Sequence, residues 1–191
     1  MSKTALLILS EGSEEMEVVI PADVLRRAGV KVVIAGLQGA KPIKCSRDIV
    51  IVPDMSIQDA AKGSYEVVIL PGGLQGAENL AQSDIVKEIL QTQEKNGRLI
   101  AAICAGPIAL KSHSIGFGKA ITSHPCKKAD LNTGEYQYLG NRVVVAEQLI
   151  TSQGPGTAFE FALAIVECLL GKEKATSLMG PMLILAPASC S

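Results

Sequence analysis

The sequence contains no tryptophan, and aromatic residues make up only 3% of its 191 residues. Neither sign of charge dominates, because 18 basic and 19 acidic side chains give a formal net charge of -1. No basic patch stands out along the chain, so the composition gives no support to nucleic-acid binding. The apolar run near the amino terminus is too short to span a bilayer, which argues against a membrane span there and favours a buried first strand.

Cysteine pairs at metal-binding or redox spacing are also missing. The five cysteines are an odd number without a CxxC motif, and they are Cys45, Cys104, Cys126, Cys168 and Cys190. This pattern supports neither a disulfide framework nor a zinc site, so we predict no metal. We expect a reduced, cytoplasmic protein.

Short runs rich in valine and isoleucine alternate with segments of helical period. Strand-like runs include "TALLIL", "VKVVIAG", "DIVIVPD", "YEVVIL", "LIAAIC", "KAITSHP", "RVVVA" and "QLITS". Continuous apolar strands are typical of a parallel sheet that helices cover on both faces. The sequence predicts one doubly wound α/β domain over residues 1–191. We expect its proline-broken end, from about residue 181, to dock on the body or to remain partly mobile.

Cys104 stands where a buried strand gives way to a helical pattern. In a parallel sheet, functional groups gather beyond the carboxyl ends of the strands. A helix N-terminus at this point favours thiolate over thiol, and small neighbours such as Ala105 and Gly106 permit a tight turn that exposes a nucleophile. An inert buried cysteine is the alternative, and position alone does not separate the two readings.

A second strand ends in Gly72 and Gly73, where the missing side chains let backbone N–H groups approach a ligand. Together with the Ala105 N–H, Gly73 can form an oxyanion pocket beside the Cys104 sulfur. An ordinary Pro-Gly turn explains the same pattern.

Glu17 lies on the apolar stripe of the first helix, whereas Glu15 and Arg26 are expected on the opposite side. A buried, unpaired carboxylate tends to take up a proton, and a protonated Glu17 can donate a hydrogen bond to a thiolate or an oxidised sulfur. The alternative is that Glu17 helps Ser13 to cap the helix.

The chain has two histidines, and they are predicted to differ in role. His124 follows a strand and is a candidate base or proton shuttle for Cys104. His113 is predicted to lie at a solvated helix end.

Several segments, taken in order, resemble one family. They are "EEMEVVIPADVLRRAG", "CSRD", "VVILPGG", "LIAAICAGPIAL", "SHP" and "ITSQGPGTAFEFALAIVE", and they are similar to the parkinsonism-associated deglycases of the ThiJ/PfpI superfamily. The resemblance spans nearly the whole chain. It implies a flavodoxin-like three-layer α/β sandwich with a largely parallel central sheet, a homodimer and no cofactor.

The resemblance also implies roles for individual residues. Cys104 corresponds to a nucleophilic, oxidation-sensitive cysteine, with Glu17 as its protonated partner and His124 nearby. The backbone groups that bind an oxyanion in the family correspond to those of Gly72, Gly73 and Ala105. Cys45, a secondary redox thiol, and Arg47 belong to a segment near the dimer contact and the mouth of the site.

The implied activities are a cofactor-free conversion of methylglyoxal to lactate, deglycation of early adducts on amines or thiols, and protection from oxidative stress. Relatives also occur in nuclei and mitochondria. This sequence departs from some relatives in carrying Val52 in place of a reactive cysteine and Gln153 in place of an arginine. Cys126 and Cys190 are peculiar to it.

Other reaction classes fit less well. A glutamine amidotransferase needs a histidine after the nucleophile in a triad, and none follows His124. A superfamily protease carries histidine directly after the nucleophile, where this chain has Ala105. A dinucleotide-binding GxGxxG motif and a Walker motif are both absent. A redox sensor or chaperone-like protein with Cys104 as its switch remains open, because sensor and enzyme need the same thiol.

Overall fold

The computed structural model describes residues 2–184. Within this range the chain forms eleven strands and eight α-helices. The strands are β1 Thr4–Leu9, β2 Lys31–Gly36, β3 Ile43–Lys44, β4 Val50–Ile51, β5 Met55–Ser56, β6 Val67–Leu70, β7 Leu99–Ile103, β8 Ala120–Ile121, β9 Gln137–Tyr138, β10 Val143–Ala146 and β11 Leu149–Ser152. The helices are α1 Glu15–Arg27, α2 Ile57–Ala60, α3 Leu74–Ala81, α4 Asp84–Lys95, α5 Pro107–Ser112, α6 Lys128–Leu131, α7 Ala158–Leu170 and α8 Lys172–Met179.

Seven strands form the central sheet in the order β10-β11-β7-β6-β1-β2-β5. Every neighbouring pair is parallel except β10 and β11, which form an antiparallel hairpin at one edge. The predicted flavodoxin-like α/β class, with a largely parallel sheet, is therefore confirmed.

Both faces of the sheet are buried, as the continuous apolar strands predict. Along β1, Ala5, Leu7 and Leu9 pack into one core cluster, while Leu6 and Ile8 pack into the other. This alternation follows from the period of two residues in a strand. The first cluster is covered by α1, α7 and α8, and the second by α2 to α6.

Two predicted strands lie outside the central sheet. The segment 48–54 contributes only β4, which pairs with β3 in a separate antiparallel ribbon. The segment 119–125 contributes only β8, which pairs with β9. Both segments therefore contain a strand, as predicted, but not in the central parallel sheet, because an apolar run of this length does not determine which partner supplies its hydrogen bonds.

The topological switch point of the sheet lies beside β1, because successive strands are added on opposite sides of it. From β1 the chain passes first to β2 on one side, and later to β6 and β7 on the other. In an open parallel sheet the crevice beyond such a switch is where ligands bind. The loops after β1, β6 and β7 therefore open at one end of the sheet.

The end of the described chain contacts the body. Met182 packs against the first core cluster, and the Ile184 N–H donates a hydrogen bond to the Met179 carbonyl at the end of α8. The remainder of the predicted tail, residues 185–191 with Cys190, lies outside the described residues. No helix in the described part is long and apolar enough to cross a membrane.

Candidate active site

A cleft of about 520 Å³ opens at the carboxyl ends of β6 and β7. Its lining comes from six segments of the chain, and consists of Gly12, Glu14, Ser46, Arg47, Gly73, Leu74, Gln75, Cys104, Ala105, His124, Cys126 and Pro155. This volume lies within the range of small-molecule sites. The sequence-predicted residues Cys104, Gly73, Ala105, His124 and Arg47 all meet here.

Cys104 occupies a strained turn between β7 and α5. Its φ of 63° lies in the left-handed region, which non-glycine residues rarely adopt. The turn is held because the Cys104 N–H donates to Ser152 O (2.9 Å) and its carbonyl accepts from the His124 N–H (2.8 Å). A Cβ on Gly106 would lie 2.7 Å from Leu70 O, so glycine is required there. The half-buried thiol is thus presented to the cleft.

Glu17 projects from α1 beneath the same turn and is fully buried. Its Oε2 accepts a hydrogen bond from the Gly72 N–H at 2.7 Å. A Cβ on Gly72 would lie 2.6 Å from both Glu17 Oε2 and Cys104 Cβ, so glycine lets the carboxyl and the thiol approach each other. The Gly72 N–H is therefore committed to Glu17, and the prediction that it binds an oxyanion is wrong.

Burial raises the pKa of Glu17 to about 8, although the Gly72 hydrogen bond opposes the shift. Its other oxygen, Oε1, is buried and has no hydrogen-bond partner within residues 2–184. A charged oxygen is costly in such a position, whereas a protonated one can donate to the neighbouring sulfur. Glu17 is therefore protonated at neutral pH. The N-cap of α1 is Glu14 and not Ser13, because Glu14 Oε2 accepts from the Glu17 N–H at 2.9 Å.

The environment of the Cys104 sulfur corrects one prediction. Burial, followed by the negative charge of an ionised Glu17, raises the pKa of the Cys104 thiol to about 12, whereas the Gly73 and Ala105 N–H groups lower it. The prediction of a thiolate favoured simply by its helix N-terminus is wrong. The Glu17 contribution disappears when Glu17 is protonated, so a Cys104 thiolate requires a neutral Glu17.

The raised pKa of Glu17 makes stability depend on pH. Between the ordinary value of 4.5 and about 8, the unfolded chain has lost the Glu17 proton while the folded chain keeps it. The free energy of unfolding therefore falls as pH rises through this window. Urea unfolding of wild type and Glu17→Gln at pH 5 and pH 8.5 should show the stability difference moving by about 3–4 kcal/mol in favour of the variant. Glu88→Gln, at an exposed position, is the control; parallel profiles for wild type and Glu17→Gln would contradict the assignment.

His124 lies in the cleft, but its ring does not hydrogen-bond the Cys104 sulfur. Its Nδ1 lies 3.0 Å from Cys126 Sγ and accepts a hydrogen bond from the Cys126 N–H at 3.3 Å. Only its backbone N–H reaches Cys104, at the carbonyl oxygen. No direct contact between the His124 ring and the Cys104 sulfur therefore supports the predicted role of His124 as the base.

Arg47 lies in one wall of the cleft, on a loop that Glu15 holds in place. Glu15 is buried rather than solvated, which corrects its predicted place on the outer side of α1. Its Oε1 accepts from the Arg47 N–H (2.8 Å) and its Oε2 accepts from the Ser46 hydroxyl (2.9 Å). These hydrogen bonds lower the pKa of Glu15, although burial opposes them. Glu15 therefore fixes the loop that carries the exposed Arg47 guanidinium at the mouth.

Two further predicted residues lie away from the cleft. Cys45 is buried in the core, and burial together with the charge of Glu15 raises its pKa to about 11. It is not a free surface thiol. His113 is buried rather than solvated, and its Nε2 lies 2.9 Å from Leu80 O, so the prediction for His113 is wrong.

Among the cleft residues that sequence reasoning missed, Glu14 and Cys126 carry ionisable side chains. Burial raises the pKa of Glu14, and the Glu17 N–H that it caps opposes this shift. His124, two residues before Cys126, is the sequence signal that could have identified Cys126, because a short turn can bring such a pair together. Among the described residues, no group of three or more histidine, cysteine or carboxylate side chains is placed to hold a metal ion.

The chain is similar to a known protein family, to several curated proteins and to solved structures. The DJ-1/PfpI family matches residues 3–168. The Parkinson disease protein 7 homolog of Danio rerio is 53% identical over 95% of this chain and 97% of its own. The glutathione-independent glyoxalase DJR-1.2 of Caenorhabditis elegans is 45% identical over 94% of this chain and 96% of its own. The crystal structure of Drosophila melanogaster DJ-1beta superposes with a TM-score of 0.95 at 50% identity, covering 97% of this chain and all of that one.

Proposed function

Because the chain belongs to the DJ-1/PfpI family, we propose that it is a cysteine-dependent, cofactor-free glyoxalase that converts methylglyoxal-type α-oxoaldehydes into hydroxy acids. The observation that carries the proposal is the juxtaposition of the half-buried Cys104 sulfur, the Gly73 and Ala105 N–H groups, and the buried carboxyl of Glu17. A glyoxalase named as glutathione-independent among the relatives supports the reaction class.

The reaction begins when the Cys104 thiol gives its proton to water in the cleft and the resulting thiolate attacks the aldehyde carbon. A C–S bond forms, and the carbonyl oxygen becomes an oxyanion that the Gly73 and Ala105 N–H groups stabilise. Glu17 gives this oxygen its proton, which yields a hemithioacetal. The Glu17 carboxylate then takes the proton from the carbon bonded to sulfur and returns a proton to the neighbouring carbon, while the hydroxyl proton moves from the first oxygen to the second, so the hemithioacetal becomes a thioester. Water cleaves the thioester, releasing the hydroxy acid and restoring the thiol.

The cleft also fits larger substrates of the same chemistry. Its volume of about 520 Å³ exceeds what a three-carbon aldehyde fills, and the exposed Arg47 at its mouth offers a cation to a polar or anionic group. Early adducts of α-oxoaldehydes with amines or thiols are therefore included as substrates for deglycation. His124 lies at the same mouth, where it can hydrogen-bond the bound oxygen atoms of such an adduct.

The proposal is tested by incubating the reduced protein with methylglyoxal in the absence of thiols. We expect methylglyoxal to be consumed over many turnovers, with one molecule of lactate formed for each molecule lost, as followed by proton NMR. Loss of methylglyoxal limited to one equivalent per chain would show modification without turnover and would contradict the enzyme.

A redox-sensor role for Cys104 is favoured by one specific observation. The Cys104 thiol opens to the cleft beside a carboxyl that can donate to an oxidised sulfur, whereas Cys45 is enclosed in the core. Peroxide can therefore reach Cys104 more readily than Cys45. Sensing and turnover use the same sulfur, so oxidation of Cys104 would stop turnover.

We further propose a homodimer that uses α1. Met16 and Val19 are 48% and 52% exposed on that helix. The Ser46 hydroxyl donates a hydrogen bond to Glu15 of α1. The segment after Ser46 exposes three more apolar side chains, Ile49, Val50 and Val52. A solvated apolar surface of this kind is typical of an interface.

Replacing Val19 by lysine is expected to weaken the dimer, because the charge would be buried against the partner. Sedimentation velocity at micromolar concentration should give about twice the monomer mass for wild type and a concentration-dependent shift towards monomer for Val19→Lys. Val145→Lys on β10, equally exposed at 50%, is the matched control. A folded wild-type monomer at this concentration would contradict the dimer.

A further inference from the structure

Cys126 forms a second thiol site in the cleft, outside the Cys104 and Glu17 pair. It is exposed in the 3-10 turn Pro125–Lys127, and it lines the same cleft as Cys104. Its Sγ lies 3.0 Å from His124 Nδ1, which is hydrogen-bond distance. The glyoxalase chemistry leaves Cys126 without a role.

The hydrogen bonds around His124 define what the pair can do. The Cys126 N–H donates to Nδ1 at 3.3 Å, so Nδ1 is the ring nitrogen without a proton. Nδ1 therefore offers a proton acceptor within reach of the Cys126 sulfur, the arrangement that activates a thiol for nucleophilic attack. The remaining ring nitrogen, Nε2, keeps its hydrogen.

The backbone holds the two thiols in neighbouring segments. The His124 N–H donates to the Cys104 carbonyl at 2.8 Å, so the turn that carries Cys126 starts in direct contact with the turn that carries Cys104. Cys168, by contrast, lies on α7 and does not line the cleft. Cys45 lies in the buried core. Of the described cysteines, only Cys126 shares the cleft with Cys104.

We propose that Cys126 is a resolving thiol, which converts peroxide-oxidised Cys104 into a reversible Cys104–Cys126 disulfide. The Cys104 thiolate first attacks hydrogen peroxide, forming an S–O bond and breaking the O–O bond, which gives a sulfenic acid and hydroxide. Cys126 then passes its proton to His124 Nδ1 and attacks the Cys104 sulfur. The S–S bond forms, the S–O bond breaks, and the second hydroxide leaves. Protons from the two thiols convert both hydroxides to water, so two thiols and one peroxide give one disulfide and two waters.

This step would protect the enzyme from irreversible loss. A sulfenic acid that meets a second peroxide becomes a sulfinic acid, which ordinary thiols do not reduce, whereas a disulfide is reduced by thiols. The inference rests on the proposed function in one respect, since it takes Cys104 as the oxidisable nucleophile. Disulfide formation, however, is measured without any carbonyl substrate.

The test treats the reduced full chain with an equimolar amount of hydrogen peroxide and then blocks free thiols. Cys104 and Cys126 fall on separate tryptic peptides, residues 99–111 and 120–127, so mass spectrometry identifies their crosslink directly. We expect this crosslinked peptide in wild type and its loss on dithiothreitol treatment. Cys126→Ser should lose the crosslink and show a severalfold higher fraction of Cys104 sulfinate, and Cys168→Ser should behave as wild type. His124→Gln should form the crosslink more slowly, because Cys126 loses its proton acceptor.

Two outcomes would overturn the inference. One is a wild-type chain in which Cys104 passes to sulfinate without the crosslink and with the same product distribution as Cys126→Ser. The other is a Cys126–Cys126 bond between chains as the only disulfide, detected as a covalent dimer in a non-reducing gel. Either outcome leaves methylglyoxal turnover untouched. Conversely, absent turnover with an intact Cys104–Cys126 crosslink would reject the glyoxalase and keep the resolving thiol.

Discussion

Replacing Cys104 by serine is expected to lower kcat/KM for methylglyoxal by roughly 10³-fold or more, because this removes the nucleophile on which each covalent step depends. A serine hydroxyl is far less acidic than a thiol, and the buried Glu17 carboxyl is protonated and is not a ready base for it. The residual rate should match that of Cys104→Ala. The measurement is lactate formation by the reduced proteins in the absence of added thiol.

Two other cysteines provide matched controls for this loss. Cys168→Ser changes an exposed thiol outside the cleft, and Cys45→Ala changes a buried thiol without adding a polar group to the core. Both variants should keep kcat/KM within a few-fold of wild type. Full activity in Cys104→Ser, or loss confined to Cys45→Ala, would place the nucleophile elsewhere.

Removing the Glu17 carboxyl is the second change with a large expected effect. Glu17→Ala leaves the Gly72 N–H without its acceptor and removes the group that moves protons between the two carbons of the substrate. We expect kcat to fall by about 10²–10⁴-fold, the range for loss of a general acid–base group. Because Arg47, Gly73 and Ala105, which line the cleft, are unchanged in this variant, KM should change little. Steady-state kinetics on the folded variant separate the two constants.

Glu17→Gln distinguishes proton transfer from hydrogen bonding. Its carbonyl can accept from the Gly72 N–H, and its amide can donate to the Cys104 sulfur, but it cannot exchange a proton. Turnover should therefore be lost in Glu17→Gln as in Glu17→Ala. A Glu17→Gln variant with wild-type kcat would reject Glu17 as the proton carrier.

Oxidation should respond differently to the same two substitutions. In excess peroxide, a Cys104 sulfinate offers oxygens to which a protonated Glu17 can donate, so oxidation is expected to stop there. Glu17→Gln keeps a weaker donor, whereas Glu17→Ala should proceed to sulfonate. Peptide mass spectrometry of all three proteins after graded peroxide measures the distribution of Cys104 oxidation products. Identical distributions of these products in wild type and Glu17→Ala would show that Glu17 does not stop oxidation at the sulfinate.

The sequence by itself determined the layered fold and the position of Cys104 at the carboxyl end of a strand. Continuous apolar strands such as Thr4–Leu9 require cover on both faces, and a cysteine after Leu99–Ile103 must emerge at the carboxyl end of the sheet. The apolar stripe of α1 likewise predicted that Glu17 is buried, because helical period alone places it beside Val24. These are local properties of the chain, and neighbouring residues suffice to define them.

The charge state of the site was decided only by the tertiary structure. The pKa of Cys104 depends on burial and on Glu17, which lies 87 positions earlier in the numbering. Helical period also predicted that Glu15 is solvated, yet the loop of Ser46 and Arg47 folds over it and supplies its hydrogen bonds. The pairing of Cys126 with His124, and their shared cleft with Cys104, equally required three-dimensional contacts. Hydrogen bonding and desolvation act through space, and residues distant along the chain therefore set how these groups hold their protons.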